Sequence, residues 1–288
     1  MKVYALAEIK RALQKIDVLP LIKEGFIAYS SGLTVVPPVG ELLFDDPPGD
    51  VHIKYGYIKN DDYYVVKIAS GFYGNSQNNI PPSQGGVMIL FDQKTGKEVG
   101  ILIDECYLTN VRTAVAGAIC AEFFSPKKVK VWSRSEKGID SYINDMSSFG
   151  WNLEKAKSPD EIAATCDLII TATPSKTPLL KSEYLKKGAH INAIGSDSPE
   201  KNELDKNILK NSSLIVADSI EQCIERGEIS HALSSGAIKK SDIYELGEIL
   251  KKNIRLHCGE NGNSVADLTG VAVQDIQIAK AVFKECEK

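Results

Sequence analysis

Short apolar runs alternate with helical segments after Pro126, and this alternation limits the possible folds more than any other feature of the chain. The predicted strands are Val129–Trp132, Asp167–Ala172, His190–Ile194 and Leu214–Ala217. The predicted helices are Lys137–Phe149, Pro159–Thr165, Ser182–Lys187, Leu204–Lys210 and Ile220–Glu225. Because a helix that connects two strands brings them into a sheet in parallel, we expect a doubly wound α/β domain.

The first third of the chain has the pattern of antiparallel strands. Two hairpins are predicted, from Val51–Ile58 with Tyr63–Ala69 and from Val87–Asp92 with Glu98–Asp104. Asp45–Asp50 is predicted to be a loop, and helices are predicted at Leu6–Lys15, Pro20–Ser30, Thr109–Phe124 and Asp267–Lys284. We therefore expect an α/β protein with a mostly antiparallel N-terminal sheet domain ahead of the doubly wound domain.

Charge and cysteine content narrow the classes of partner. The net charge of −4 argues against nucleic acid as the main partner, and no apolar run is long enough to span a membrane. The 6 cysteines are scattered, with no CxxC pair and no cysteine–histidine spacing typical of a metal site. We expect a cytoplasmic protein with reduced thiols, without a bound metal, and without a nucleic-acid or membrane partner.

Two strand ends carry residues that suit a nucleotide. Ser133-Arg134-Ser135 follows the first strand of the alternating region, where a nucleotide-binding domain reads the ribose. Arginine and hydroxyls favour a 2′-phosphate there, and hence NADP over NAD; the alternative is an ordinary loop arginine. Thr171-Ala172-Thr173 follows the next strand and offers small side chains that a nicotinamide ribose could approach. No Gly-x-Gly-x-x-Gly/Ala sequence stands where a phosphate loop could be.

Arg112 and Lys67 are candidates for binding a carboxylate. Arg112 lies in the first turn of its predicted helix, where the helix dipole favours anions, so an anion bound there would explain its position. The alternative is an exposed arginine paired with Asp104 or Glu105. Lys67 interrupts an apolar strand, and on a buried face its ammonium would need a partner or a depressed pKa. The alternative for Lys67 is a solvated lysine on an edge strand.

Asp197 is a candidate acid/base. It follows the predicted strand His190–Ile194, and ligands bind at the carboxyl ends of the strands in open α/β sheets. A carboxylate there could take a proton from an amine or activate a water. Lys201, in the same loop, could hold a second carboxylate. The alternative is that both are ordinary turn residues.

Taken together, these segments resemble the ornithine cyclodeaminase/μ-crystallin family over nearly the whole chain and in the same order. The resemblance is carried by Lys67 in VVKIASG, Asn75, LTNVRTAVAGA at Leu108–Ala118, GSDSPEKNEL at Gly195–Leu204 and VADLTGVAVQD at Val265–Asp275. It implies a substrate and dimerisation domain of residues 1–110, completed by the C-terminal helix of residues 265–288. It also implies a Rossmann-like dinucleotide-binding domain of residues 111–264, and a homodimer formed through the sheet domain.

The resemblance also implies a chemistry. Family members convert ornithine to proline with release of ammonia, reduce cyclic ketimines or dehydrogenate alanine, so we expect an NAD(P)-dependent enzyme acting on a small amino acid or imine. By resemblance Arg112 and Lys67 hold the substrate carboxylate, and Asp197 acts as acid/base beside Lys201. Thr269 and Gly270 shape the substrate pocket. The residues expected to bind the cofactor are Ser133, Arg134, Ser135, Thr171, Ala172, Thr173 and Gly195.

One departure from the family pattern concerns the substrate carboxylate. Many members carry an arginine on the strand where this chain reads Val51-His52-Ile53-Lys54. Either His52 or Lys54 would take the place of that arginine. Neither side chain can form the two parallel hydrogen bonds that a guanidinium donates to a carboxylate. The identity of the substrate is therefore not determined by this strand.

A larger departure precedes Lys128, where about 30 residues are missing, roughly one strand–turn–helix unit with its glycine-rich turn. We therefore expect weaker dinucleotide binding than in the family. One hypothesis moves Val129–Trp132 into the place of the missing central strand, with Ser133–Gly138 as a substitute phosphate loop. A second is an incomplete gene product. A third is a non-catalytic, μ-crystallin-like ligand-binding or structural dimer.

Overall fold

The computed structural model of the protein describes residues 1–72, 83–126 and 128–288. Asn75, one of the residues that carry the family resemblance, lies outside the described residues. The described residues form two compact units. The first comprises Met1–Ile119, Leu246–Lys252 and Gly270–Lys288, and the second comprises Cys120–Glu245 and Asn253–Thr269. The first unit therefore extends beyond residue 110 and includes a short segment that the sequence placed in the other domain.

The first unit is built on a mostly antiparallel sheet. Its elements up to Cys120 are β1 (Lys2–Tyr4), α1 (Leu6–Leu13), α2 (Val18–Ser30), β2 (Thr34–Val35), β3 (Gly40–Asp45), β4 (Pro48–Ile58), β5 (Tyr63–Phe72), β6 (Ser83–Asp92), β7 (Glu98–Ile103) and α3 (Tyr107–Cys120). The strand order is β1-β7-β6-β5-β4-β2, with β3 also paired to β4, and among the described strands of this sheet only the β1–β7 pair is parallel. Both predicted hairpins are confirmed.

The loop predicted at Asp45–Asp50 is wrong. β3 ends at Asp45 and pairs with β4 from Pro48 onward, so the segment is mostly the end of a hairpin. Pro48 is tolerated because it is the first residue of its strand, where its missing N–H is not needed. β3 was not predicted because its apolar residues Leu42, Leu43 and Phe44 are consecutive rather than alternating, and all three are exposed.

The second unit is built on parallel strands. Its elements are β8 (Lys128–Val131), α4 (Glu136–Met146), β9 (Asn152–Lys155), α5 (Pro159–Thr165), β10 (Leu168–Thr171), β11 (His190–Ala193), α6 (Lys206–Lys210), β12 (Ser212–Ala217), α7 (Ile220–Cys223), α8 (Gly227–Ser234), β13 (Ile243–Glu245) and, after α9 (Leu246–Lys251) of the first unit, β14 (Asn263–Asp267). Five of these strands form a parallel sheet in the order β10-β11-β14-β12-β13. The doubly wound α/β expectation is confirmed for this sheet.

The end of the chain returns to the first unit as α10 (Ala272–Cys286). The predicted helix began at Asp267, but that residue is the last of strand β14, which lies in the middle of the parallel sheet and is almost entirely buried. α10 packs against α1, α2 and β4. Gly25 of α2 permits this close approach, since a Cβ there would lie 3.3 Å from the Val273 carbonyl oxygen. Within the described ranges, no helix is long and apolar enough to cross a membrane.

The predicted movement of Val129–Trp132 into a central position is wrong. Among the described strands β8 pairs only with β9, in a separate two-stranded parallel sheet, and β10 pairs only with β11. A cavity of about 1110 Å³ lies in the second unit and is lined by residues of both β8 and β10. Phe124, which leads into β8, packs on His190 and His257 and so holds this connection at the start of β11.

Candidate functional site

Three buried cations surround one buried carboxylate in the first unit. Lys54 of β4 and Lys67 of β5 are directly opposite each other in the sheet, α3 supplies Arg112, and α10 supplies Asp275. Asp275 Oδ1 lies 3.5 Å from Lys67 Nζ and accepts a hydrogen bond of 3.1 Å from Arg112 Nε. Like charges opposite each other on neighbouring strands are destabilising, and the carboxylate of Asp275 offsets part of this repulsion. We call these four residues the cation cluster.

The pKa shifts in the cation cluster follow from burial and charge. Burial lowers the pKa of Lys67, and the nearby guanidinium of Arg112 lowers it further, while Asp275 raises it. Burial alone would raise the pKa of Asp275, but Arg112, Lys67 and Lys54 together hold it below its usual range. The three neighbouring cations therefore keep the carboxylate of Asp275 ionised. Their summed positive charge is larger than the single negative charge of this carboxylate.

The cation cluster has more positive than negative charge and carries unused polar atoms. Asp275 Oδ2 and Gln274 Nε2 are buried with no hydrogen-bond partner among the described residues. Asp104, also buried, feels the charge of Lys67, but burial raises its pKa above the usual range, which weakens it as a counter-charge. Uncompensated buried charge is costly, so the cluster is suited to bind a further anion such as a carboxylate.

The structure brings several predicted residues into this cluster. Arg112 and Lys67 are buried, so neither is the exposed side chain that was the alternative for each. Gly270 adjoins them, because its carbonyl oxygen accepts a hydrogen bond of 2.5 Å from Lys54 Nζ. Gly270 has a φ of +85°, and a Cβ there would lie 2.7 Å from Arg112 Nη1. A glycine is therefore required at this position.

His52 and Lys54 have different surroundings. His52 shares a sheet face with Lys54, since the two are separated by one residue in β4. However, His52 Nε2 lies 2.8 Å from Glu41 Oε1 of β3. Lys54, in contrast, reaches Gly270 and contributes to the pKa of Asp275. Lys54, rather than His52, is thus the basic residue of β4 that joins the cation cluster.

Asp197 lies in the second unit, in the loop after β11. Lys201 Nζ donates a hydrogen bond of 2.6 Å to Asp197 Oδ1, and about a third of each side chain or less is exposed. Arg226 Nη1 donates to the Asp197 carbonyl oxygen at 3.2 Å. The pair of Asp197 and Lys201 can exchange a proton with a bound ligand, because the ammonium stabilises the carboxylate and both heads reach solvent.

Helix α8 holds this loop through a residue that the sequence did not single out. Glu228 Oε1 accepts hydrogen bonds from Ser196 Oγ and, at 2.8 Å, from the Glu203 N–H. Glu228 Oε2 accepts from Asn202 Nδ2 at 2.7 Å and from the Leu204 N–H at 3.0 Å. Glu228 is buried, so these bonds fix the loop on both sides of Lys201. In the sequence, only the position of this acid directly after Gly227 could have hinted at the role.

Glu203 joins two of the predicted cofactor residues. Its carboxylate accepts hydrogen bonds from the Thr173 N–H at 2.7 Å and from the Gly195 N–H at 3.1 Å. The ends of β10 and β11 are thereby held together. A Cβ on Gly195 would lie 2.4 Å from the Thr173 carbonyl oxygen, so this approach also needs a glycine.

The other predicted cofactor residues divide into two groups. Ser133 lines the 1110 Å³ cavity together with Thr171, Ala172 and Thr173. Arg134 and Ser135 are exposed and do not line it; Ser135 Oγ caps α4 by accepting a hydrogen bond from the Gly138 N–H. Thr269 Oγ1 donates to Asp218 Oδ1 at 3.0 Å, deep in the second unit. No cluster of His, Cys, Asp and Glu with the arrangement of a metal site occurs in the described part of the chain.

Comparisons with known proteins agree on one family. The profile of the ornithine cyclodeaminase/mu-crystallin family matches residues 2–128 and 119–288. An uncharacterized cyclodeaminase of Sinorhizobium fredii is 28% identical over 320 positions, which cover 100% of this chain and 96% of the relative. Ketimine reductase mu-crystallin of Macropus fuliginosus is 29% identical, with 92% of this chain and 90% of the relative covered.

A solved structure shows the same fold. The archaeal alanine dehydrogenase dimer with bound NAD superposes with a TM-score of 0.87 and is 27% identical, over 99% of this chain and 95% of that one. The alignment with the Sinorhizobium relative has 320 positions, whereas this chain has 288 residues, so at least 32 positions of the relative face a gap here. The two matches of the family profile meet and overlap at residues 119–128. The two ranges of the profile match therefore join at the start of β8.

Proposed function

This chain belongs to the ornithine cyclodeaminase/mu-crystallin family, and on that premise we propose that it acts, with a nicotinamide dinucleotide, on a small α-amino acid or the corresponding cyclic imine carboxylate. The observation that carries the proposal is the cation cluster, in which Lys54, Lys67 and Arg112 surround the single carboxylate of Asp275. These two substrate classes share a carboxylate beside the reacting carbon–nitrogen bond, so one anion site serves both.

The cation cluster binds the substrate carboxylate in this proposal. Lys54 and Lys67 offer ammonium donors, and Arg112 offers the part of its guanidinium that Asp275 and Gln274 leave unused. The side chains are already buried, so the substrate does not have to dehydrate them fully, and little side-chain entropy is lost on binding. Fixing the carboxylate fixes the adjacent carbon–nitrogen bond, which is the usual contribution of such a clamp to the rate.

Asp197 moves the proton at the substrate nitrogen in this proposal. In the direction of imine reduction the product amine nitrogen needs a proton, and in the direction of oxidation the amine must lose one. The hydrogen bond between Asp197 and Lys201 allows the pair to supply or remove it. Glu228 acts as a positioning residue, because it holds the loop that carries both.

The second unit fits a dinucleotide only in part. Ser133 and Thr171–Thr173 line the cavity, where Thr171–Thr173 would face the nicotinamide ribose, and Arg134 favours NADP over NAD. However, a cavity stands between β8 and β10 where a glycine-rich turn would cradle the pyrophosphate, and Glu136 adds a negative charge to the first turn of α4. We expect this chain alone to bind the dinucleotide weakly, and we propose no hydride-transfer step for the chain alone.

Two further parts of the proposal follow from the family. We propose a homodimer formed through the first unit, whose β3 exposes Leu42, Leu43 and Phe44 to solvent as a single chain. The second candidate function is a non-catalytic carboxylate-binding dimer. The cavity in the place of a strand favours it, since the cation cluster is complete while the nucleotide site is not.

Isothermal titration of the purified chain with proline, ornithine and Δ1-pyrroline-2-carboxylate tests the anion site. We expect binding by the wild type, a loss of about tenfold to a hundredfold for Lys54→Met, and little change for His52→Gln, which lies outside the cluster. Circular dichroism checks that both variants fold. If no carboxylate binds the wild type, the proposal is wrong; binding without any turnover in the presence of NADP(H) or NAD(H) favours the non-catalytic candidate.

A further inference from the structure

The cavity of the second unit has the features of an empty strand position. Among the described strands, β8 has β9 as its one neighbour and β10 has β11, so each presents one edge without a strand partner. Residues of both strands line the same cavity of about 1110 Å³. We call the cavity with these two edges the strand slot. Its volume exceeds the range of about 300–1,000 Å³ that is usual for small-molecule pockets.

The strand slot is lined by apolar side chains that water reaches. Phe123, Tyr142, Trp151 and Ile170 line it and are each between 40% and 55% exposed. In β10, Ile170 is exposed although its neighbour Ile169 is buried in the core of the parallel sheet. Unpaired strand edges beside exposed apolar residues are a liability that folded proteins usually cover. A segment that supplied both backbone partners and apolar contacts would cover them.

Comparison with relatives indicates what such a segment is. At least 32 positions of the Sinorhizobium cyclodeaminase face a gap in this chain, and the family profile matches the chain in two ranges that overlap at residues 119–128. This overlap ends at the start of β8 and includes Phe123 and Phe124 of the strand slot. About 30 residues are enough for one strand, a turn and a helix.

We propose that the strand slot binds, in trans, a separate polypeptide segment of the strand–turn–helix type, whose apolar strand pairs with β8 and with β10. β8 and β10 each belong to parallel pairs, and each is four residues long, so the incoming strand needs about four to six residues. Pairing on both edges would join the two sheets of the second unit into one. This inference rests on the family assignment, and it does not require the proposed activity.

The chain carries its own probe for this event. It has 2 tryptophans, Trp132 and Trp151, and both line the strand slot. Titration of the full chain with a tryptophan-free synthetic peptide, copied from the residues of the Sinorhizobium relative that face the gap, should give a saturable shift of tryptophan emission to shorter wavelength. Calorimetry should give one peptide per chain. The same peptide with two prolines in its strand half removes ladder donors and should not bind.

Two lysine substitutions locate the binding site. Ile170→Lys places a charge in the strand slot and should weaken peptide binding at least about tenfold. Ile224→Lys, at a residue of the same unit that is 37% exposed and does not line the slot, should leave binding unchanged. Both original side chains reach solvent, so neither change is expected to unfold the chain. The bound peptide should also lower the Kd for NADPH at least about tenfold, which the fluorescence of this reduced nucleotide reports.

Several outcomes would overturn the proposal. One is the absence of a saturable change with the wild-type chain, and another is an equal change with the proline-containing peptide. A third is a chain that self-associates through the slot, so that Ile170→Lys dissociates it while the peptide has no effect. Carboxylate binding, which the cation cluster supports without the peptide, is measured separately. Its loss would overturn the proposed function and leave the peptide result standing.

Discussion

At the scale of single residues, Gly270 combines a left-handed backbone conformation with a position close to two cationic side chains. Its φ of +85° disfavours other residues, and a Cβ would lie 2.7 Å from Arg112 Nη1 and 2.9 Å from Lys54 Nζ. We predict that Gly270→Ala weakens carboxylate binding at least about tenfold and destabilises the fold by about 1–3 kcal/mol. Calorimetry and urea denaturation measure the two effects.

Gly96→Ala is the matched control for this prediction. Gly96 has a φ of +70°, but a Cβ there would meet nothing within 4 Å. Its substitution should show the cost of backbone strain in urea denaturation, with carboxylate affinity unchanged. Equal losses of affinity in the two variants would mean that strain alone, rather than contact with the cations, explains the effect.

Asp267 gives a prediction about pH. It is fully buried, and burial together with the charges of Glu228 and Asp218 raises its pKa well above the usual range. A carboxyl whose pKa is higher in the folded state contributes its full stability below its unfolded pKa, near 4, and loses that stability as the pH rises through the folded pKa.

Asp267→Asn removes this titration. The variant should be more stable than the wild type at pH 8, and the gain should shrink toward pH 4. The amide oxygen can still accept the hydrogen bond that Asp267 Oδ2 receives from the Ile229 N–H at 2.8 Å. Urea denaturation between pH 4 and pH 8 measures the difference; a gain that does not depend on pH would contradict the assignment.

At the scale of elements, α8 positions the loop that follows β11. Glu228 accepts two backbone and two side-chain hydrogen bonds from residues 196–204. In Glu228→Gln, an amide N–H would face the N–H groups of this loop, so at least one bond is lost. We predict about 1–3 kcal/mol of lost stability and faster hydrogen exchange at Glu203 and Leu204.

Activity separates a positioning role for Glu228 from a merely structural one. Turnover should fall in Glu228→Gln while carboxylate affinity stays the same, because the cation cluster belongs to the other unit. Glu248→Gln is the control, since the side chain of Glu248 is exposed and forms an ion pair with the exposed side chain of Lys252. If hydrogen exchange at Leu204 does not change in Glu228→Gln, the loop is held by other contacts.

The same elements mark what sequence patterns can and cannot predict. Lys67 was singled out because its charge interrupts an apolar strand, and Arg112 because its positive charge lies in a helix turn that favours anions. The structure buries both side chains. Asp275, although it ends the VADLTGVAVQD segment, and Glu228 were given no role from the sequence, because their partners lie far away in the chain. The choice between His52 and Lys54 likewise depended on which partner packed nearby, Glu41 or Gly270. Strand β9 was missed because Asn152–Lys155 is too polar to be read as a strand.

At the scale of the whole molecule, the two sheets of the second unit should differ in local stability. α4 packs against β8 and has Ile139 as its one buried residue, whereas every residue of β11 is buried. We predict that amides of β8 and β9 exchange with solvent at least about a hundred times faster than those of β11 and β14. Native-state hydrogen exchange followed by mass spectrometry measures the ratio, and equal rates would show that the second unit opens as one body.

The register of the strands beside the strand slot indicates which deletions this fold can tolerate. Leu168 pairs with His190, and Lys128 pairs with Asn152, so the strands on each side of the slot form parallel pairs without a register shift. Removing part of a strand shifts the chain by single residues and turns side chains to the wrong face. Removing a strand with its turn and helix shifts nothing. Natural variation in such proteins is therefore expected to add or delete complete supersecondary units. Only changes of that size leave the side chains of the neighbouring strands on the same faces of the sheet.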